Sequence, residues 1–173
     1  MLLNQFFEPV DKVKHNLKAF DCGKSEMNRF LSQHADKHGK LGLSSTFVLT
    51  QSTEPSANQK PYVAAYYTLC SATVKRHEIP TEQSLPAYPI PVVMLARLAV
   101  DTRQQGKRLG EKSLVYALRH AVKLCDSGLP AYGVILDVLD IPALKFYQQF
   151  DMFKRFTDDP MRLFVSMDTL RGV

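Results

Sequence analysis

The sequence of 173 residues has no tryptophan and only three cysteines, which lie far apart at Cys22, Cys70 and Cys125. An odd and scattered set of cysteines does not form a disulfide framework and is typical of a protein from a reducing compartment. No apolar run approaches the ~20 residues that a membrane-spanning helix needs. The first residues do not resemble a signal peptide, because Asn4 and Gln5 follow the initial leucines at once. We therefore expect a cytoplasmic protein that is not inserted in a membrane.

The composition that is present fits one globular domain. Hydrophobic residues make up 45% of the chain and charged residues 23%, which is enough apolar material for the core of a single domain spanning residues 1–173. The formal net charge is +5 and the pI is about 9.1. This positive excess favours polyanionic partners such as nucleotides or RNA, although a surplus of this size also serves solubility alone.

The chain is organised around residues 92–124, which combine three patterns. The almost unbroken apolar run VVMLARLAV is typical of a buried strand. The polar turn DTRQQGKRLG follows, and then EKSLVYALRHAVKL, whose apolar residues recur at helical spacing. A strand, a glycine turn and a helix in this order direct backbone N–H groups and the positive end of a helix into one small space, which suits a phosphate.

Two common phosphate motifs do not fit this turn. The P-loop requires Lys-Ser or Lys-Thr after its last glycine, and the dinucleotide fingerprint requires a GxGxxG spacing that Arg108 interrupts. From the loop alone, an ordinary connection between a strand and a helix stays an equally good interpretation.

The rest of the chain predicts a mixed α/β order. A turn at residues 20–23 (FDCG) precedes a helix that Asp21 or Ser25 can cap. Four prolines interrupt residues 76–91 and predict a long loop. The remaining predicted strands cover 2–7, 44–51, 61–76, 131–139, 153–156 and 162–168, with a loop at 52–60 and a short helix at 141–150. This order is consistent with one twisted sheet covered by helices.

The first predicted helix carries His34 and His38 four residues apart on one face. This spacing could supply two metal ligands, but no glutamate, cysteine or third histidine lies nearby to complete a site. We interpret the pair as part of the helix surface and expect no metal.

The central turn resembles the Q/R-x-x-G-x-G/A loop of the GNAT N-acetyltransferase superfamily, which binds the pyrophosphate of acetyl-CoA. Arg103, Gly106 and Arg108 fall on its three defined positions, and Gly110 follows two residues later. Arg108 departs from the pattern, because the family prefers Gly or Ala there. Its side chain could add a charge-assisted phosphate contact or crowd the loop. The resemblance implies an α/β (α+β) fold, with a single GNAT-like domain and a central mixed, mostly antiparallel twisted sheet flanked by helices.

A second motif of the same superfamily, AxxFYxxxGF, lies further along the chain. Ala143, Phe146 and Tyr147 match this motif. Asp140 stands where an Asn is common, and Asp151 shifts the usual Gly-Phe pair. Two motifs in the right order are far more specific than either alone.

One branch of the superfamily is matched more closely still. The segments FDCG, ARLAVD, LDIPALKFY and PMRLFVSM together resemble the GNAT toxins of type II toxin–antitoxin modules, over nearly the whole chain from about residue 20 to 167. The resemblance implies acetylation of the free α-amino group of aminoacyl-tRNA, which blocks translation. It also implies a homodimer and inhibition by a small ribbon-helix-helix antitoxin.

The resemblance also implies which residues form the site. In the family, the backbone of the strand before the loop contacts the acetyl carbonyl and the pantetheine arm. The expected acetyl-CoA-binding residues are Leu98, Ala99, Val100, Arg103, Gln105, Gly106, Lys107, Arg108, Leu109, Gly110, Asp140 and Phe146. Tyr147 is the candidate acid for the departing thiolate; without the family pattern, a packing role in its short helix would come first. Asp137 and Asp140 could orient water or substrate.

Basic residues supply the argument for RNA. Some could follow a tRNA acceptor stem through phosphate contacts, while any single one is as well explained as solvated surface. The candidates are Arg29, Lys37, Lys40, Lys75, Arg76, Lys107, Arg108 and Lys112. Two other functions stay open: an acetyltransferase that acts on a small amine or a protein N-terminus, and a binding module that keeps the fold without turnover.

Overall fold

The computed structural model describes residues 2–52, 56 and 58–172. Its strands are β1 (Glu8–Pro9), β2 (Ser45–Thr50), β3 (Val63–Val74), β4 (Ile90–Val100), β5 (Gly133–Asp137), β6 (Lys154–Arg155) and β7 (Arg162–Ser166). They form one sheet in the order β1-β2-β3-β4-β5-β7-β6. β4 and β5 pair in parallel, whereas β1 with β2, β2 with β3, β5 with β7 and β6 with β7 pair antiparallel. This confirms the predicted mixed, mostly antiparallel sheet.

Helices flank the sheet. They are α1 (Ser25–Arg29), a π-helical segment (Phe30–His34), α2 (Ala35–Lys40), α3 (Leu109–Asp126), α4 (Ile141–Gln148) and α5 (Met167–Arg171). Two 3-10 turns lie at Arg76–Glu78 and Thr102–Gln104. Within the described residues, no helix combines the length and the apolar character that crossing a bilayer requires.

The chain divides into two compact units. The first contains Met1–Cys70 and Arg97–Ala117, and the second contains Ser71–Ala96 and Leu118–Val173. The proposed acetyl-CoA loop lies in the first unit, and the segment that carries Tyr147 lies in the second.

The first unit has two hydrophobic clusters. In one, Met27, Phe30 and Leu31 from the first helical stretch pack with Tyr66 and Ala99 of the sheet. The Tyr66 hydroxyl donates to the Met27 carbonyl at 2.8 Å, which satisfies a carbonyl next to the π-helical segment. The other cluster joins sheet residues to the start of α3, and its buried members are Leu49, Tyr62, Ala64, Ala65 and Leu109.

The second unit has a cluster of its own around β4, β5 and β7. Its buried members are Val74, Ile79, Ile90, Val92, Ile135, Phe156 and Phe164. Tyr132 stacks on Phe164 with ring centroids 5.7 Å apart, and the Tyr132 hydroxyl donates to Gln83 at 2.7 Å. These contacts tie part of the long proline-containing segment to the sheet.

Several elements differ from the ranges predicted from the sequence. Residues 167–168, predicted as the end of a strand, form the start of α5, because the Ser166 hydroxyl accepts the Thr169 N–H and caps a helix. Residues 2–7 are not a strand; β1 lies at Glu8–Pro9, and only a single bridge joins Leu3 to Gln51. Residues 53–55 and 57 of the predicted loop lie outside the described residues.

The first helix begins without the predicted caps. Lys24 occupies the N-cap position, with no side-chain hydrogen bond to the helix. Asp21 instead accepts the Gly23 N–H at 2.8 Å, so its carboxylate stabilises the preceding turn. His34 and His38 contact Phe30, and no group of three metal-binding side chains occurs in the part of the chain that is described.

Candidate active site

The end of β4 carries three residues expected to line the acetyl-CoA arm. Ala99 is buried and belongs to the cluster around Phe30. Leu98 and Val100 are half-buried, and Val100 packs against the other cluster, which contains Leu109. Strand alternation thus sends neighbouring side chains to different clusters. The backbone of these residues leads directly into the loop.

Asp101 follows β4, and its side chain is fully buried. Its backbone N–H donates to the Ala64 carbonyl at 2.9 Å, which ties the start of the loop to β3. Its carboxylate accepts the backbone N–H groups of Asp21 at 3.0 Å and Arg103 at 2.9 Å, and the Arg103 Nε at 3.1 Å. Burial would raise the pKa of Asp101, but these donors, Arg103 first, outweigh it and lower the pKa to about 2. The ionised carboxylate therefore anchors the loop.

Arg103 is engaged by the protein itself. Its guanidinium pairs with Asp101, which raises the pKa of Arg103. The same group lies over the ring of Tyr62, with 3.9 Å between Cζ and the ring centroid. The structure thus gives Arg103 a role in holding the loop, while the exposed half of its side chain can still meet an anion.

The tip of the loop is formed by Gln105, Gly106 and Lys107. The side-chain amide of Gln105 donates to the carbonyl oxygens of Cys22 at 3.1 Å and Val100 at 2.8 Å, so this side chain faces the protein. Gly106 has a φ of 77°, in the left-handed region that glycine adopts at no steric cost. Lys107 is exposed, and its Nζ donates to the Arg103 carbonyl at 3.3 Å.

Arg108 also adopts a left-handed backbone, with a φ of 63°. This conformation costs an L-residue with a Cβ roughly 1–2 kcal/mol, which gives a physical reason to prefer glycine, but not alanine, at this position. The Arg108 Nε donates to Glu111 at 3.0 Å. Because the side chain is 80% exposed, this ion pair stabilises the loop only weakly. The Arg108 guanidinium is therefore exposed at the rim of the loop.

α3 begins immediately afterwards at Leu109, which is buried and fixes the start of the helix against the core. The first-turn N–H groups of Leu109, Gly110 and Glu111 have no carbonyl partners within the helix. Together with the helix dipole, they form a place for an anion. Lys107, Arg108 and Lys112 lie beside them in the sequence and add positive charge.

The second unit holds the other predicted site residues. Asp137 forms a two-point ion pair with Arg162 of β7, with distances of 2.7 and 3.1 Å. Asp140 caps α4, because its carboxylate accepts the Ala143 N–H at 2.9 Å. Both carboxylates thus make structural bonds within their own unit. Phe146 is half-buried and packs edge-on against Tyr147, with centroids 5.1 Å apart.

Tyr147 is buried, with 8% of its surface exposed. Its ring packs edge-on against Phe153 at 6.0 Å, and burial raises the pKa of its hydroxyl. Among the described residues, no hydrogen-bond partner contacts that hydroxyl. A protonated phenol held by its ring alone can donate to an incoming group.

No family model matches the sequence. A tRNA-acetylating toxin from Mycobacterium tuberculosis is 30% identical over 161 residues, which cover 91% of this chain and 90% of that protein. The chain belongs to the family of tRNA-acetylating toxins.

Solved structures agree with this family in fold. A mutant of KacT with one tyrosine changed to phenylalanine matches with a TM-score of 0.86 and 22% identity, over 99% of each chain. AtaT complexed with acetyl-methionyl-tRNAfMet matches with a TM-score of 0.85 and 23% identity, over 98% of each chain. The comparisons confirm the predicted acetyltransferase fold and the toxin branch.

Two charged residues of this family member were absent from the predicted site. The segment ARLAVD did not indicate the role of Asp101, because its hydrogen-bond partner Asp21 lies 80 residues away in the sequence. Arg97 interrupts an apolar strand, and its guanidinium lies 4.1 Å from the centre of the Phe30 ring. Besides the Phe30 ring, the Arg97 Nη1 contacts the Met27 sulfur at 3.6 Å, and no carboxylate of the described residues pairs with it. An arginine inside an apolar strand was the available signal.

Asp101 should make stability depend on acid pH. Its folded pKa lies below the ordinary value of 3.8, so its contribution is present above pH 4 and is lost as the pH falls towards 2. The shift corresponds to ~2 kcal/mol. We expect Asp101→Asn to be less stable than the parent by that amount at pH 7, and the gap to narrow below pH 4. Urea unfolding at several pH values measures this, with Asp151→Asn, which removes an exposed carboxylate, as the control; a gap that does not change with pH would refute the assignment.

Substitution of Arg108 by glycine should relieve the strain of its left-handed backbone. Arg108→Gly and Arg108→Ala both remove the pair with Glu111, but only glycine relieves the left-handed strain. We expect the glycine variant to be more stable than the alanine variant by ~1 kcal/mol, the relief being partly offset by the greater freedom of glycine in the unfolded chain. Urea unfolding of the two variants measures the difference, and equal stabilities would show that the loop relaxes in another way.

Proposed function

We propose that this protein transfers the acetyl group of acetyl-CoA to the α-amino group of aminoacyl-tRNA and thereby blocks translation in the cytoplasm. The observation that carries the proposal is the loop between β4 and α3, which places the first-turn N–H groups of a helix next to the end of a strand in a chain of the tRNA-acetylating toxin family. Two related structures support the substrates: AtaTR is bound with AcCoA, and AtaT is complexed with acetyl-methionyl-tRNAfMet.

The loop would hold acetyl-CoA by its pyrophosphate. The N–H groups of Leu109, Gly110 and Glu111 offer donors that the helix itself does not use. Gly106 lets the backbone approach the phosphates closely, because it has no Cβ and adopts a positive φ. The exposed cations Lys107 and Arg108 would add charge-assisted contacts at the rim.

The backbone before the loop would receive the acetyl end. Leu98, Ala99 and Val100 occupy the strand positions that contact the acetyl carbonyl and the pantetheine arm in the resembling superfamily. Backbone donors at this place could stabilise the oxyanion that develops when an amine attacks the thioester. Arg97 lies on the same strand, with its guanidinium over the Phe30 ring, and its positive charge would favour negative charge nearby.

Direct transfer requires a neutral amine and a proton for the departing thiolate. The α-amino group has a pKa of about 8, and ester formation lowers it further, so a strong enzymatic base is unnecessary. Tyr147 would supply the proton, because its phenol stays protonated at neutral pH and its hydroxyl has no hydrogen-bond partner among the described residues. In this proposal Asp140 and Phe146 shape the segment that carries Tyr147, through the α4 cap and the edge-on ring contact.

The partners follow from the family. The net charge of +5 supports contacts with tRNA phosphates, which would not read sequence. We propose a homodimer that a ribbon-helix-helix antitoxin keeps inactive. AtaT bound to the C-terminus of the antitoxin AtaR is a related complex of this kind.

Mass spectrometry tests the proposed substrate directly. Bulk aminoacyl-tRNA is incubated with the protein and acetyl-CoA. The terminal aminoacyl-adenosines are then released by nuclease, and their masses are measured. We expect a gain of one acetyl group on the amino acid and none on uncharged tRNA. If a small amine or a protein N-terminus is acetylated as efficiently as charged tRNA, the acetyltransferase acts on a different acceptor and the toxin proposal is wrong.

Tyr147→Phe should remove turnover and spare binding. The change deletes the hydroxyl and keeps the ring contacts with Phe146 and Phe153, so the variant should fold and bind acetyl-CoA like the parent. General acid catalysis contributes ~10²–10⁴-fold, and kcat should fall by that order. Tyr132→Phe, which also deletes a tyrosine hydroxyl in the second unit, is the matched control. Retention of most of the turnover by Tyr147→Phe would return this residue to a packing role.

A further inference from the structure

The turn at residues 20–23 (FDCG) is hydrogen-bonded directly to the proposed acetyl-CoA loop. The Asp21 N–H donates to the Asp101 carboxylate at 3.0 Å, and the Asp21 carbonyl accepts the Thr102 N–H at 2.8 Å. The Cys22 carbonyl accepts the Gln105 side-chain amide at 3.1 Å. Three hydrogen bonds therefore join two segments that are about 80 residues apart in the sequence.

Asn28 of α1 holds the turn from its other side. Its side-chain oxygen accepts the Cys22 N–H at 2.9 Å, and its amide nitrogen donates to the Asp21 carboxylate at 2.9 Å. The same carboxylate accepts the Gly23 N–H at 2.8 Å. The Gly23 φ of 88° lies in the left-handed region, so this turn requires glycine. Asn28 itself makes no hydrogen bond to the loop within the described residues.

We propose that the 20–23 turn is the positioning element of the acetyl-CoA loop, and that Asn28 and Gln105 are its positioning residues. The inference rests on the proposed function, because it assigns acetyl-CoA to this loop. Asn28 fixes the turn, and the turn fixes the loop backbone through Asp101, Thr102 and Gln105.

Positioning acts on cofactor affinity. N–H groups that are aimed in advance bind an anion without a further ordering cost, whereas a loosened loop must be ordered on binding. Loss of a hydrogen bond in such a network is expected to weaken acetyl-CoA binding about fivefold to tenfold. Linkage requires the reverse effect as well, so bound acetyl-CoA should protect the turn from exchange.

Asn28→Ala tests this from outside the loop. We expect the Kd and KM for acetyl-CoA to rise about fivefold to tenfold, and the kcat and the KM for aminoacyl-tRNA to stay within about twofold. Asn4→Ala is the matched control, because it also removes an asparagine amide, here bonded to Thr50 at 2.8 Å. A raised KM for aminoacyl-tRNA with unchanged acetyl-CoA affinity would overturn the proposal.

Gln105→Met provides an independent second variant, of similar size but without the donor to Cys22. We expect the same rise in the acetyl-CoA constants. In the ligand-free protein, we also expect faster hydrogen exchange at the amides of Asp21, Cys22 and Gly23. Unchanged exchange would give Gln105 a direct ligand contact instead and overturn the positioning role. A parent protein that does not bind acetyl-CoA overturns the proposed function and this inference with it, whereas equal affinity in the parent and both variants overturns only this inference.

Discussion

The buried carboxylate of Asp101 is the interaction on which the arrangement of the loop depends. It stands where β4 ends and the chain must turn, and it gathers donors from the loop and from the 20–23 turn. A carboxylate buried without donors would be costly, so the surrounding N–H groups and Arg103 must keep their places. The segment from β4 to the first turn of α3 is thereby held in place.

In the rest of the loop, some side chains bond to the protein and others stay exposed. Gln105 and Arg103 direct polar groups inwards to the protein, while Gly106 and Arg108 take left-handed backbones that reverse the chain before α3. Arg108 pays a conformational cost for this position, yet it places a guanidinium at the rim. The polar side chains of the motif thus divide between building the loop and meeting a ligand, a division that sequence letters alone do not express.

Apolar runs and helical periodicity predicted the elements that they determine, whereas helix caps were not predicted. The apolar run of β4 and the helical spacing of α3 led to the correct elements, since burial and periodicity determine both. The last two residues of the predicted strand 162–168 instead begin α5, because this helix starts at a serine cap at Ser166 rather than at an apolar pattern. The role of Asp101 could not be foreseen, because it depends on a partner 80 residues away. Tyr147 was chosen from the family motif, and its burial and bonding came only from the structure.

In the proposed function, the start of α3 and the loop before it bind acetyl-CoA. The most direct measurement is an amide NMR titration of the ¹⁵N-labelled protein with acetyl-CoA. We predict that the amide signals of Gly106, Leu109, Gly110 and Glu111 shift together with one binding constant. Two further ligands separate the pyrophosphate contact from the acyl end: desulfo-CoA keeps the pyrophosphate but has no acetyl thioester, and 3′,5′-ADP has neither. Binding of acetyl-CoA that leaves these four signals unmoved would show that the cofactor lies elsewhere.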